Sequence, residues 1–235
     1  SLMKPVVYLN ALQRSSEYHL ASIISDEPLS VETETGEWWS PKNFDREDHG
    51  DVPLFMAFAH SYNQASVRLG LMLGLDSIAD TMLALGVTPP ETLLPSMIIG
   101  STDMSPFSVA ELYQPIASGG LRTPLRSIRS VLDSTARPLE HFPLSAEQVV
   151  NDRAMYLLQY AMALTMRHGT GRAASRWLPS SLAVAGKTGT SNDHRDAWFA
   201  GFSGDLLAIV WVGRDDNQAG SITGSSAALP IWAEF

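Results

Sequence analysis

Apolar residues recur at three- and four-residue steps from the first positions of the chain: Leu2, Val6, Leu9 and Leu12, with Val7 and Tyr8 beside them. That period predicts a helix at the outset, with Ser1 in the N-cap position and Pro5 near enough to the start to be tolerated. Residues 26–53 break the pattern. They are rich in Pro, Gly, Glu and Asp around Trp38 and Trp39, which predicts a long irregular surface excursion. Trp38-Trp39 could bound a groove, though packing within the loop is the plainer reading. Helical stretches are expected at about 54–60 and about 65–73, and Asp76 is placed to cap another that ends near Gly86. Ser108 and Glu111 fit a capping box opening an amphipathic segment that closes at Gly119-Gly120, with Pro115 expected to kink or shorten it. Ser145 and Gln148 fit a second box, before a long apolar-periodic helix reaching about Arg167.

After Gly169-Thr170-Gly171 the period shortens. Apolar runs at 182–186, 197–202 and 206–212, separated by turn residues, read as three antiparallel strands. A closing helix from about Ser225 would be short. Helices first and a strand meander last predict an α+β domain in which helices flank an antiparallel β-sheet.

Composition narrows the function. The 235 residues suffice for a buried core in one large domain or two small ones, and 45% apolar with 17% charged residues argues against wholesale disorder. Sixteen basic side chains against 25 acidic give a formal charge of −9, which disfavours a nucleic-acid partner. No apolar run approaches the roughly 20 residues of a membrane helix, and the first residues do not read as a signal peptide. The absence of cysteine excludes a disulfide scaffold, a thiolate zinc site and a cysteine nucleophile, and suits either redox compartment. The six histidines, His19, His49, His60, His141, His168 and His194, show no metal-ligand spacing and are expected at the surface or at helix ends. No metal and no cofactor is called for.

Lysine is scarce: Lys4, Lys42 and Lys187 stand against 13 arginines. Lys4 follows Ser1 by three residues and shares its helical face. A serine hydroxyl becomes a nucleophile when a neighbour takes its proton, and a neutral lysine can do so. Alone, Ser-x-x-Lys reads more readily as an N-cap serine followed by a solvated lysine. Lys187 stands in Ala185-Gly186-Lys187-Thr188-Gly189-Thr190. A phosphate-binding loop needs a glycine where Ser181 stands, then a helix, and strands follow instead. As a strand, the segment puts Lys187 and Gly189 on one face and Thr188 and Thr190 on the other. Gly189 would let a substrate backbone lie close against the strand edge. Ser61-Tyr62-Asn63 sits between two helical stretches, where a capping serine or asparagine is common.

In order, Ser-x-x-Lys, Ser-x-Asn and Lys-Thr-Gly-Thr are the three motifs of the penicillin-recognising serine acyltransferases, which include class A β-lactamases and penicillin-binding proteins. Trp39-Ser40-Pro41-Lys42-Asn43, Ile116-Ala117-Ser118-Gly119-Gly120, Gly169-Thr170-Gly171-Arg172, Trp198-Phe199-Ala200-Gly201 and Trp211-Val212-Gly213-Arg214-Asp215 extend the likeness. Essentially the whole chain resembles the transpeptidase domain of bifunctional, class A penicillin-binding proteins, most of all the 1b type of Gram-negative bacteria.

The resemblance implies a D,D-transpeptidase on the periplasmic face of the inner membrane, acting on the D-Ala-D-Ala ends of peptidoglycan stem peptides and acylated by β-lactam antibiotics. It casts Ser1 as nucleophile, Lys4 as general base, Ser61 as proton relay and Asn63 as a substrate-amide contact. Lys187 would supply positive potential, Thr188 and Thr190 would meet the terminal carboxylate with Gly189 between them, and the N–H groups of Ser1 and Thr190 would form the oxyanion hole. Twist or a bulge must then reconcile Thr188 and Thr190 with the strand alternation. The resemblance also implies one domain over residues 1–235 that starts partway through. In the family, strands precede the Ser-x-x-Lys helix, and a glycosyltransferase domain and membrane anchor lie further upstream. The end at Phe235 is a candidate for clipping too. Rival readings are a β-lactamase or a non-turnover β-lactam sensor of the same fold, and an N-terminal-nucleophile amidohydrolase using the amine of Ser1. The last would not require Lys4, Ser61, Asn63 or Lys187.

Overall fold

The computed structural model describes residues 1–33 and 36–235. Helix α1 (Lys4–Gln13) runs through the middle of the molecule, and every residue from Lys4 to Leu12 is buried. A helix enclosed on all sides is a core element, so Val7 and Tyr8 are as hidden as the Val6-Leu9-Leu12 stripe. Ser1 does not cap it. Met3 takes the cap position, and the Ser1 carbonyl accepts from Lys4 N at 3.3 Å in a preceding turn. Pro5 lies in the first turn, where its missing N–H costs nothing.

Strands β1 (Ile23–Ser25), β2 (Val31–Glu32), β3 (Trp38–Trp39) and β4 (Asp51–Pro53) follow, with β1 paired to β4 and β2 to β3, both antiparallel. The expected surface excursion is thus partly ordered by short ladders, and it carries two buried polar residues, Asp26 and Asn43. Helices α2 (Leu54–Ala59), α3 (Asn63–Leu73) and α4 (Leu75–Ala84) lie close to their predicted places. Gly74, not Asp76, occupies the α4 cap position, and Asp76 sits in the first turn, where its charge suits the helix dipole.

Helix α5 (Pro106–Ala117) opens earlier than the predicted box, because Ser105 caps it by accepting from Ser108 N at 3.0 Å. Pro115 is buried within α5, which ends two residues later. Strands β5 (Leu121–Arg122), β6 (Ser130–Leu132), β7 (Pro138–His141) and β8 (Glu147–Gln148) form an exposed excursion, β5 pairing with β8 and β6 with β7. Strand pairing takes Gln148 of the second predicted box. Helix α6 (Asp152–Arg167) is capped instead by Asn151, whose side chain accepts from Arg153 N at 3.0 Å and Ala154 N at 3.3 Å.

Strands β9 (Ala185–Thr190), β10 (Ala197–Ser203) and β11 (Leu206–Val212) make an antiparallel sheet in the order β11-β10-β9. The first starts three residues later than the apolar run suggested and continues through Lys187-Thr188-Gly189-Thr190. A π-helical turn (Gly224–Ala228) leads into α7 (Leu229–Glu234). Alternation along β10 divides the core. Ala200, with Trp198 and Phe202 packed beside it, faces the large cluster around α1, whereas Ala197 and Phe199 face Leu229 and Trp232 of α7. The fold is α+β, an antiparallel sheet flanked by helices. Among the described residues, no helix is long and apolar enough to cross a membrane.

Candidate active site

The first turn of α1 directs Lys4 at the junction between α2 and α3. There the chain turns sharply, with Ser61 at φ 60°, a left-handed conformation uncommon for a side-chain-bearing residue. Both Ser61 oxygens reach Lys4, whose Nζ donates to the Ser61 carbonyl at 2.6 Å and lies 3.0 Å from Ser61 Oγ. A third contact runs from Lys4 Nζ to Asn63 Oδ1 at 2.7 Å. From β9, Lys187 Nζ donates to the same Ser61 Oγ at 2.8 Å and to its neighbour's carbonyl, Thr188 O, at 3.1 Å. One hydroxyl therefore stands between two ammonium nitrogens from opposite ends of the chain.

Both lysines are fully buried, at 0% exposure. Burial holds Lys4 well below the ordinary lysine range and the charge of Lys187 lowers it further, while Asp26 pulls it upward. Burial pushes Lys187 down to about 7. Counting protons gives the consequence. The Ser61 carbonyl and Asn63 Oδ1 only accept, so they use two N–H bonds of Lys4. A neutral Lys4 then keeps a lone pair, and the Ser61 hydroxyl, already accepting from Lys187, has one proton to give. The arrangement can pass a proton between the lysines through Ser61.

Ser1 lines a cavity of about 770 Å³ together with Asn63, Gly189, Thr190, Trp39 and Trp198. The positive field of Lys4 and Lys187 reaches the Ser1 nitrogen, which donates to the Ile99 carbonyl. Gly100, at φ +89°, follows Ile99, and a Cβ there would stand 2.7 Å from Ser1 N, so both conformation and space call for glycine. Along β9 the strand alternation holds: Lys187 and Gly189 face the start of α1. The close neighbour of Gly189 is Leu2, whose Cγ would be 3.1 Å from an added Cβ. Thr190 lines the cavity with its Oγ1 accepting from Gly224 N at 3.1 Å. Thr188 turns its hydroxyl to Thr170 Oγ1, 2.7 Å away, so the two threonines do not present their hydroxyls as a pair.

The structure thus brings Ser61, Asn63, Lys4 and Lys187 into direct contact, and Ser1, Gly189 and Thr190 to the adjoining cavity. Sequence reasoning missed Gly100, Thr170 and the buried pair Asp26 and Asn43. The Gly169-Thr170-Gly171 turn and the Trp39-Ser40-Pro41-Lys42-Asn43 run gave a signal for Thr170 and Asn43, as motifs without an assigned role. Trp39 lines the cavity while Trp38 is exposed. Among the described residues, no group of three or more His, Asp or Glu side chains could hold a metal ion.

The family model for the penicillin-binding protein transpeptidase domain matches residues 1–232. The chain belongs to that family. Penicillin-binding protein 1B of Vibrio cholerae is 42% identical over 236 residues, covering all of this chain and 30% of that protein. The chain therefore spans about three-tenths of the length of the curated relatives it matches. Among solved structures, penicillin-binding protein 1A from Haemophilus influenzae superposes with a TM-score of 0.89 at 23% identity, over the whole chain and 41% of that structure. PonA1 from Mycobacterium tuberculosis in complex with penicillin V gives 0.83 at 20% identity, over the whole chain and 66% of that structure. The transpeptidase domain thus has the fold of class A penicillin-binding proteins, and curated relatives similar to it in sequence include the 1B proteins of Gram-negative bacteria.

Proposed function

We propose that this transpeptidase domain performs serine acyl transfer on the D-Ala-D-Ala ends of peptidoglycan stem peptides and is acylated by β-lactams, on the periplasmic side of the inner membrane. The observation that carries the reading is the Ser61 hydroxyl held between two buried lysines whose charged forms burial disfavours. Ser1 Oγ attacks the carbonyl carbon between the two D-alanines while Lys4, neutral, takes its proton. The tetrahedral oxyanion lies against the N–H groups of Ser1 and Thr190, a contribution of about 3 kcal/mol per donor. The C–N bond then breaks, and the leaving amine receives the proton from Lys4 through Ser61. Asn63 and Thr190, beside the bound peptide, orient its amide and terminal carboxylate, with Lys187 supplying the positive field. Thr188 backs this strand through Thr170. An acceptor amine on a neighbouring stem peptide attacks the ester carbonyl, gives up its proton along the same path and frees Ser1 Oγ with a new cross-link.

The test is intact-mass analysis after exposure to benzylpenicillin. The expected result is a single penicilloyl adduct mapped to the peptide that begins at Ser1, lost in Ser1→Ala and nearly lost in Lys4→Ala. Retained labelling of the serine variant overturns the assignment. Slow release of the adduct separates a transpeptidase from a β-lactamase, and cross-linking of lipid-linked substrate separates it from a sensor.

A further inference from the structure

Helix α3 begins with Asn63, and its first three N–H groups have no partner within the helix. The residue in the cap position is Tyr62. The partners come from the distant excursion instead. Asn43 Oδ1 accepts from Asn63 N at 2.7 Å and Gln64 N at 3.3 Å, and Asp26 Oδ1 accepts from Ala65 N at 2.8 Å. Asp26 is fully buried, and its second oxygen accepts from Asn43 Nδ2 at 2.6 Å and faces His49 Nδ1 at 2.8 Å. His49 in turn stacks on Tyr62 at 3.8 Å with an interplanar angle of 13°. The excursion also holds the Asn63 side chain, since Asn63 Nδ2 donates to Lys42 O at 2.8 Å and thereby aims Oδ1 at Lys4.

We infer that Asp26 is a positioning residue which, through Asn43, caps α3 from outside and so fixes Asn63 and Lys4 for acyl transfer. A buried carboxylate is costly unless its oxygens are well paired, and here that cost is offset by holding the turn that bears Ser61 and Asn63. Helix dipole and charge agree, because a negative group at a helix N-terminus is favourable. The same charge supports the protonated form of Lys4. Other titratable groups around the carboxylate are His49, Asp45 beyond it at 3.3 Å from His49 Nε2, Asp48 across Gln64, and the phenols of Tyr8 and Tyr62.

The inference rests on the acyl-transfer reading, and the experiment separates the two. Wild type, Asp26→Asn and Asn43→Ala are compared for the rate of acylation by a fluorescent penicillin. Lys4 is followed by NMR of 13Cε-labelled lysine, simple here because the chain has three lysines. Failure of the wild type to be labelled would sink the underlying reading. Given labelling, both variants are expected to acylate about 10- to 100-fold more slowly, as loss of positioning predicts. The titration midpoint of Lys4 should fall in Asp26→Asn, which loses the charge, and stay put in Asn43→Ala, which keeps it. The lower midpoint in Asp26→Asn by itself enlarges the share of neutral Lys4. Slower acylation there therefore reports lost positioning, which a role confined to stability would not produce in the folded protein. Wild-type or faster acylation by the folded protein in both variants overturns the inference. If Asp26→Asn does not fold, Asn43→Ala decides it by rate alone.

Discussion

Lys187 can be weighed by removing it. Its Nζ is fully buried, and burial pushes its pKa down to about 7, against roughly 10.4 in an unfolded chain. Between those values the unfolded state binds about one more proton than the native state, so stability rises with pH through that window. The slope is about 1.4 kcal/mol per pH unit, hence about 4 kcal/mol from pH 7 to pH 10. Below pH 7 both states are protonated and the penalty is constant. Lys187→Met removes the charge at similar volume but also deletes the donors to Ser61 Oγ and Thr188 O, a loss of about 1–3 kcal/mol. Ser61 keeps Lys4 as a partner. The variant should therefore be about 1–3 kcal/mol more stable than the parent at pH 7, and the order should reverse near pH 10. Relief of Lys4, whose pKa Lys187 lowers, acts in the same direction at neutral pH. Buried Tyr8 and Tyr113 have raised pKa values and destabilise the fold at high pH, but they cancel in the difference. Urea unfolding of both proteins by tryptophan fluorescence, at unit steps from pH 7 to pH 10, measures the gap. A gap that does not change with pH refutes the reasoning. Acylation by penicillin should be lost in the variant throughout.

Further expectations concern single groups. Ser61→Ala should slow acylation about 100- to 1,000-fold through loss of the relay while thermal unfolding stays cooperative; unchanged stopped-flow acylation kinetics reject that role. Gly100→Ala places a Cβ 2.7 Å from Ser1 N at φ +89° and should cost about 1–3 kcal/mol, with slower labelling because the displacement falls on Ser1; chemical denaturation and the labelling rate check both. Asn151→Ala removes the α6 cap and should cost about 1 kcal/mol with labelling untouched. Phe199→Ala empties the contact with Trp232, whose ring centroid lies 4.9 Å away, and should cost about 3–5 kcal/mol, seen as a large fall in the urea midpoint.

Local signals in the chain determined the elements. The apolar period marked α1, α3 and α6, the change of period after Gly169-Thr170-Gly171 marked the sheet, and three motifs in order marked the family. Those signals are short in range, and so were their errors. Ser108 and Ser145 matched capping boxes, yet Ser105 and Asn151 cap the helices; in the second case pairing of β8 with β5 claims Gln148 of the box. Nothing local distinguishes a box that forms from one that a strand partner outcompetes. Likewise, the polar stretch at 26–53 carried no mark that Asp26 and Asn43 would be buried. Their partners are N–H groups about 20 and 39 residues onward, and a need for caps at α3 is visible only once α3 is placed. The tertiary structure alone decided that Lys4 and Lys187 share one hydroxyl, contacts spanning 57 and 126 residues. Periodicity reports which face of an element avoids water, whereas the distance between two buried charges, and so their pKa values, depends on how whole elements pack.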